Sequence, residues 1–293
     1  MFLQQLANAL ALGSVYALFA LGFTLIFGVL EIITLAHGTI FMVGAFAGLV
    51  AVTRLHLGIG AAIFMAMLAA GALGWLIDLV AVRPLRKRSF HHLAPMIATI
   101  GCAMVITSVF QGLFGAEAYR FPFDFFPTTA YVLGSIQLTL LQLIIIAVSF
   151  GFMMIIIFLL HKTKWGTAVR AVAENRRTAA LLGIPVDRVY QITSFTASAL
   201  GGAAGILTGL SFNTLHTFMG VPMLHRGVAI VILGGMGDIR GAVLGGLILG
   251  FSEIMSVAYL SSDFRDAISF GLLFLILLVR PAGIFGKTGE RKV

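Results

Sequence analysis

Long apolar runs, each interrupted by few polar residues, recur along nearly the whole chain. A helix needs about 20 apolar residues to cross the hydrocarbon core of a bilayer, so these runs predict membrane spans. Seven runs have this length: 6–30, 32–53, 58–82, 93–115, 136–160, 190–211 and 241–260. The run 267–279 is shorter, but Arg280 at its end can extend its side chain to the interface. We therefore count an eighth span.

The apolar pattern breaks between residues 212 and 240. The stretch 227–235 is too short to cross alone, and it follows Pro222 and Arg226. Because lipid cannot hydrogen-bond an exposed backbone, a broken or re-entrant helix buried in protein is expected here. Glycines tolerate the dihedral angles of a bend. The residues predicted to form such breaks or close helix packing are Gly38, Gly234, Gly235 and Gly237.

Composition supports the same fold class. Of 293 residues, 60% are hydrophobic and 10% charged, and 34 are glycine. Glycines recur every fourth residue at 201, 205 and 209, at 237, 241 and 245, and at 44 and 48. This predicts an all-α polytopic membrane protein with closely packed helices and a single transmembrane domain over residues 1–293. The tripeptide Val-Arg-Pro at 82–84 recurs at 279–281, each time at the end of a span, which suggests a parallel internal repeat.

The basic residues indicate orientation. The net charge of +8 would suggest nucleic acid binding in a soluble protein, but 14 of the 19 Lys and Arg fall in three segments, 83–88, 162–188 and 280–292. Basic loops face the cytoplasm. We therefore expect no nucleic acid partner. Placing the three basic segments in the cytoplasm gives an outer N-terminus, a cytoplasmic C-terminus and outer loops at 54–57 and 117–135, provided that the segment 227–235 also changes sides.

Polar side chains at membrane depth are costly and often functional. Glu31, Thr34 and His37 lie where the first two spans meet, which indicates either a discontinuous helix lining a pathway or a cytoplasmic turn. Asp78, close to a basic loop, favours a structural ion pair, whereas Glu253 lies within a span. The candidates for a solute pathway are Tyr16, Thr34, His37, Gln111, Asn213 and Glu253. For Gln111 and Asn213, a bond to backbone or to water is the simpler alternative.

The second basic segment predicts a short amphipathic helix over about 167–183. Apolar residues there recur at helical spacing opposite Arg170, Glu174 and Arg177, and Gly183 and Pro185 end the pattern. The apolar positions are Ala168, Ala171, Val172, Ala179 and Leu182. Such a helix either lies on lipid headgroups or docks on a protein, and the small alanine side chains favour a protein partner.

Catalytic motifs are absent from the sequence. There is no phosphate-binding loop, zinc-protease motif or nucleophile elbow, and Cys102 is the one cysteine. We expect no catalytic residue, no metal site and no cofactor in this chain.

Several short motifs occur in an order that resembles the permease subunits of bacterial ATP-binding-cassette importers of the branched-chain amino acid type. They include Ala-His-Gly at 36–38, Arg-Pro-Leu-Arg at 83–86, Leu-Gly-Gly-Met-Gly at 233–237 and Arg-Pro-Ala-Gly-Ile-Phe-Gly at 280–286. The other matching segments are 13–18, 21–28, 97–101, 170–175 and 182–184. Where Asn-Phe is usual before Ala-His-Gly, this chain has Thr34 and Leu35.

The resemblance implies a pathway for branched-chain or other hydrophobic amino acids in a bacterial inner membrane. It implies four kinds of partner. One is a second permease, which is homologous or identical to this chain. The others are two cytoplasmic subunits that bind ATP and Mg²⁺, an outer solute-binding protein, and membrane lipid. In such proteins the amphipathic segment couples to the ATPase. The residues that correspond to it are Arg170, Ala171, Glu174, Asn175, Ala179, Gly183 and Ile184.

One alternative from another class is a self-contained secondary transporter or channel, in which Glu253, Asp78 and His37 would be ion or proton sites. An intramembrane enzyme is a further alternative, although no nucleophile and base can be paired from the sequence.

Overall fold

The computed structural model describes residues 2–30, 32, 34–87, 93–122, 130–133 and 136–286. Its long helices are α1 (Phe2–Leu30), α2 (His37–Thr53), α3 (Ile59–Ile77), α5 (Leu93–Phe114), α6 (Leu140–Lys162), α9 (Val186–Phe212), α10 (Gly220–Gly234), α11 (Ile239–Tyr259) and α12 (Arg265–Val279). Shorter helices are α4 (Arg83–Lys87), α7 (Lys164–Glu174) and α8 (Arg176–Leu181). Glu31 lies outside the described residues.

The architecture confirms the all-α polytopic membrane class. Within the described ranges, six helices are long and apolar enough to cross a bilayer: α1, α3 with its extension to Arg86, α5, α6, α9 and α11. The apolar helices α2, α10 and α12 are shorter, with 17, 15 and 15 residues.

Small residues bring the central helices into close contact. A Cβ added to Gly44 of α2 would collide with the backbone of Gly202 in α9, and one on Gly250 of α11 would collide with Gly13 in α1. Apolar helices gain little by leaving lipid for one another, so backbone approach at small residues supplies much of their attraction. The glycine spacing in the sequence therefore marks the core formed by α1, α2, α9 and α11.

Two predicted spans begin later than expected. The second span was predicted from residue 32, but its helix starts at His37. The fifth was predicted from residue 136, where the chain instead forms an antiparallel hairpin of β1 (Ala130–Leu133) and β2 (Ile136–Thr139). Thr139 ends this hairpin and caps α6, because its side chain accepts a hydrogen bond from the backbone N–H of Gln142 at 3.2 Å.

The single amphipathic helix predicted over 167–183 is wrong in detail, because two helices are present. Asn175 has an extended backbone between α7 and α8, and its side-chain oxygen accepts a hydrogen bond from Thr178 N at 2.9 Å. Asparagine is a preferred N-cap residue, so it starts a new helix here rather than continuing the old one.

The two Val-Arg-Pro segments have different conformations. The first follows a π-helical turn (Asp78–Val82) and leads directly into α4, whereas Arg280 ends α12 in a non-helical conformation. This tripeptide therefore gives the expected internal repeat no structural support.

Candidate functional site

The α1–α2 connection returns to the middle of the bundle before α2 begins. The His37 ring lies 4.8 Å from the Phe19 ring and 5.6 Å from the Phe23 ring, centroid to centroid. A Cβ on Gly201 would lie 3.1 Å from the imidazole. Phe19 is near the middle of α1 and Gly201 near the middle of α9, so the buried His37 lies about halfway along both helices. The break in helical structure before α2 therefore lies at mid-bundle depth, with the His37 ring packed against α1 and α9.

The helix α10 begins at the same depth as α2. Gly38 and Gly220, each in the first turn of its helix, approach so closely that a Cβ on either would collide with the carbonyl of the other. Gly38 was expected to form a chain break or a close helix contact, and the structure shows the close contact. The non-helical turn lies at residues 34–36, and Gly38 is a packing residue inside α2.

A cavity of about 500 Å³ lies beside these two helix starts, between α2, α10 and α5. Gln111, Thr107 and Ser108 of α5 and Thr39 of α2 line its polar side. Most of the remaining lining is apolar, including Met104 and Leu224. The cavity combines a few polar groups with an apolar wall, which is typical of sites for small molecules.

Thr34 and Asn213 do not line this cavity, although both were pathway candidates. Thr34 is buried in the turn before α2. Asn213 ends α9 in the left-handed conformation, and its Oδ1 accepts a hydrogen bond from Phe121 N at 2.9 Å. This contact holds the segment around Phe121 against α9, so the geometry gives Asn213 a packing contact rather than a place beside the cavity.

Glu253 is completely buried and lies at the centre of an ion-pair cluster. Arg226 Nε of α10 is 2.6 Å from its Oε1, and Arg265 Nε of α12 is 3.1 Å from its Oε2. Tyr16 of α1 donates its hydroxyl hydrogen to Oε2 at 2.8 Å, and the Ser269 hydroxyl donates to Oε1 at 3.1 Å. We call these five residues the Glu253 cluster, which joins α1, α10, α11 and α12.

The cluster explains how α10, which is too short to cross a bilayer alone, is held against the longer helices. A buried carboxylate is tolerated when cations and hydrogen-bond donors surround it, and removing one partner is strongly destabilising. Arg226 also contacts Asp266, with 2.9 Å between its Nη2 and Oδ1. Sequence reasoning selected Tyr16 and Glu253 but missed Arg226 and Arg265. The available signal was that both arginines lie next to or within apolar segments.

A second ion-pair cluster lies at the other end of the bundle. Arg86 Nη1 is 3.3 Å from Asp78 Oδ1, and its Nη2 is 3.4 Å from Asp187 Oδ1. The Arg86 guanidinium carbon lies 4.1 Å from the centre of the Tyr190 ring. The structural ion pair expected for Asp78 is confirmed. We call Asp78, Arg83, Arg86, Asp187 and Tyr190 the Asp78 cluster.

The predicted bend after α10 is present. α10 ends at Gly234, Gly235 has φ 104°, Gly237 has φ 88°, and α11 follows with Asp238 as its N-cap. The chain after α12 returns to this point, where Ile284 N donates to Leu233 O at 2.9 Å and Phe285 N to Gly234 O at 3.0 Å. These bonds satisfy carbonyl groups that a helix end otherwise leaves unpaired.

The helices α7 and α8 present a different surface from the one predicted. Ala179 and Val172 are buried against the rest of the chain, whereas Leu181 and Leu182 are 83% and 75% exposed. Ala179 therefore cannot contribute to an alanine-lined docking face. Arg170 donates a hydrogen bond to the carbonyl of Leu160, which ties α7 to the end of α6. The exposed surface comprises Glu174, Asn175, Arg176, Arg177, Leu181, Leu182 and Gly183, and we call it the α7–α8 surface.

A comparison with protein families agrees with this architecture. The model described as the permease component of branched-chain amino acid transport systems matches residues 5–277. The chain belongs to this permease family. The match runs from the first turns of α1 to the last turn of α12, and it makes the chain a permease subunit of a transport system.

Curated relatives match the permease along its whole length. It is 35% identical to the high-affinity branched-chain amino acid transport system permease protein LivH of Escherichia coli K12, and 32% identical to BraD of Pseudomonas aeruginosa PAO1. Each alignment covers 100% of this chain and 98% of the relative. A probable branched-chain amino acid permease of Methanocaldococcus jannaschii is 30% identical over 96% of the chain and 91% of its own length. No solved structure matches.

The described part of the permease contains no group of three or more His, Cys, Asp or Glu side chains placed to hold a metal ion. Its buried carboxylates, Asp78 and Glu253, face arginines instead.

Proposed function

We propose that the permease forms half of a transmembrane pathway for branched-chain amino acids in an ATP-driven importer. The full-length similarity to LivH and BraD carries this proposal. In it, residues 1–293 form one transmembrane domain of a bacterial inner membrane protein, with an outer N-terminus and a cytoplasmic C-terminus. A solute-binding protein delivers the amino acid on the outer side.

Two separate subunits bind ATP and Mg²⁺ and dock on the α7–α8 surface. The support is that two leucines, Leu181 and Leu182, are exposed at the end of a helix pair rich in polar residues. Exposed apolar side chains rimmed by charges are typical of protein contacts. Arg170, Ala171 and Ile184 hold α7 and α8 against the bundle, so movement of an ATPase would pass through them to α6 and α9.

The docking proposal is tested by Leu182→Asp, in a complex purified with its ATPases. The aspartate places a charge in the contact, so ATP-driven leucine uptake into proteoliposomes should fall by more than about tenfold, because burying a charge is costly. The matched control is Leu55→Asp, an exposed leucine between α2 and α3 at the opposite end of the bundle. Normal uptake with Leu182→Asp would contradict the docking surface.

We place the solute pathway along the cavity of about 500 Å³ and a second permease over its open side. Thr107, Ser108 and Gln111 lie on α5, in which only Pro95 and Thr99 are buried in the single chain. Lipid would leave these polar groups and the start of α10 unsatisfied, whereas a second permease, homologous or identical, could enclose them with water. His37 and Gly38 then act as packing residues that fix the start of α2.

The alternative of a secondary transporter or channel needs ionisable groups free to bind an ion. Asp78 and Glu253 are instead paired with Arg86, Arg226 and Arg265. Leucine uptake that follows an ion gradient in the absence of ATPase subunits would overturn the proposal and favour the carrier.

A further inference from the structure

A second, smaller cavity of about 240 Å³ lies on the other side of α10 from the first. The first turns of α10 separate the two, because Val221 and His225 line the large cavity while Pro222 and Arg226 line the small one. The small cavity is bounded by the last turns of α9 at Thr208 and Phe212 and by the first residue of α12, Arg265. It therefore lies at the end of the bundle that the proposed topology places outside.

The charged side chains that line this cavity are both arginines, Arg226 and Arg265. Arg226 Nε donates to Glu253 and Arg265 Nε lies 3.1 Å from the same carboxylate, which is fully buried and does not line the cavity. Asp266 lines a different pocket. Among the described contacts, no ion pair or hydrogen bond uses Arg226 Nη1 or the terminal nitrogens of Arg265. Glu253 thus orients two guanidinium groups and leaves part of each for another acceptor.

The remaining lining of the cavity is mostly apolar. It consists of the rings of Tyr16, Phe41 and Phe212, together with Met219, Pro222 and Met223. Thr208, Thr214 and His216 add polar atoms near the outer end. Thr208 donates its hydroxyl hydrogen to Ala204 O at 2.8 Å, so its oxygen can still accept a hydrogen bond from an ammonium group. One molecule of liquid water occupies about 30 Å³, so the cavity is larger than a single water molecule or small ion needs.

We propose that this cavity binds a free amino acid with an apolar side chain before it passes α10, its carboxylate paired with Arg226 and Arg265. Guanidinium groups pair with carboxylates through two parallel hydrogen bonds, which makes them selective for this geometry. The aromatic and methionine side chains of the cavity wall contact the apolar side chain of the amino acid. The inference rests on the proposed function for the direction of transport, but the site itself does not depend on ATP.

The test places a single thiol at the cavity and compares reagents of opposite charge. In a complex carrying Cys102→Ser, Thr214→Cys is treated with a sulfonate-bearing and a trimethylammonium-bearing methanethiosulfonate. The arginines should make the anionic reagent react about tenfold faster than the cationic one, because a cleft of one sign concentrates counter-ions. Tyr131→Cys, on the exposed hairpin, should react with both at similar rates.

Two further measurements separate the amino acid from a simple anion. L-leucine should slow labelling of Thr214→Cys at least about fivefold, while L-leucinol, which lacks the carboxylate, and an equal concentration of chloride should not. Adding Arg265→Gln should abolish both the preference for the anionic reagent and the protection by L-leucine. Equal protection by chloride would show an adventitious anion site and overturn the proposal, as would equal reaction rates for the two reagents.

Failure of this site and failure of the proposed function are distinguishable. Labelling and protection are measured without nucleotide, whereas ATP-driven uptake is measured separately with Thr214 intact. Protection by L-leucine in a complex that shows no ATP-driven uptake would keep the site and reject the importer. Normal ATP-driven uptake, together with equal labelling rates of Thr214→Cys by the two reagents, would reject the site and keep the importer.

Discussion

The Glu253 cluster and the Asp78 cluster use the same chemistry at opposite ends of the helix bundle. In each, a carboxylate that is at most 1% exposed faces arginine, and an aromatic ring lies near a guanidinium group. They differ in what they join. Asp78 pairs with Arg86 only eight residues away, whereas Glu253 binds Arg226 across 27 residues and Tyr16 across 237.

In the Asp78 cluster a second, half-buried carboxylate remains to pair with the arginine if the first is lost. The Glu253 cluster has no such carboxylate. If Asp78 were neutral, Arg86 would still face Asp187, which is half exposed and reaches water. Without Glu253, Arg265 would lose its one ion pair and Arg226 would keep only the exposed Asp266. The difference shows that a buried carboxylate can either reinforce one helix junction or hold together four helices, three of which border a cavity.

The largest expected effect is that of Glu253→Gln compared with Asp78→Asn. Loss of a partner from a buried ion pair costs about 3–5 kcal/mol. We expect Glu253→Gln to lose stability in this range and Asp78→Asn to lose about half as much, because Arg86 retains Asp187. The measurement is the free energy of unfolding of the purified protein in detergent, with the amount in the membrane as a second readout. Equal losses would show that the two clusters are equivalent.

A smaller effect is expected for Tyr16→Phe, which removes only the phenol hydrogen bond to Glu253. Hydrogen bonds to charged groups contribute about 1.5–3 kcal/mol, so the free energy of unfolding should fall by this amount. The matched control is Tyr131→Phe, whose ring is exposed on the hairpin and should lose nothing measurable. A Tyr16→Phe protein as stable as the control would mean that the arginines alone satisfy Glu253.

The smallest effect is expected for Asp266→Asn. The carboxylate of Asp266 is 71% exposed, so its pair with Arg226 is screened by water and salt. We expect a change below about 1 kcal/mol that disappears at high ionic strength. A large, salt-independent loss would place Asp266 inside the Glu253 cluster and give Arg226 a spare acceptor after all.

Much of the fold was predictable from local residue patterns, either continuous apolar runs or residues at one fixed spacing. Apolar runs located the six helices that are long enough to cross a bilayer. Glycines at every fourth position marked the faces on which α2, α9 and α11 pack. The start of α2 could not be found in this way. Residues 34–36 belong to an apolar run that predicts a span, and what keeps them out of a helix is the placement of His37 between α1 and α9, which depends on contacts distant in sequence.

The sites were predictable only in part for the same reason. Glu253 was identifiable because an acidic residue within a span is costly, but its partners lie 12, 16, 27 and 237 residues away and follow no period. The docking face was misassigned because helical spacing gives an apolar stripe without saying what covers it. In this chain the permease itself covers Ala179, and α8 exposes its last residue, Leu181, and the adjoining Leu182.

The two hydrogen bonds from Ile284 and Phe285 to the end of α10 have a consequence for biogenesis. Leu233 and Gly234 leave the ribosome 51 residues before the N–H groups that pair with their carbonyls. During that interval α11 and α12 must insert, while α10 is too short to settle across the bilayer. The re-entrant segment therefore reaches its final position late, after α12 carries residues 284–286 back to it. We expect water or the insertion machinery to pair with these two carbonyl groups until then.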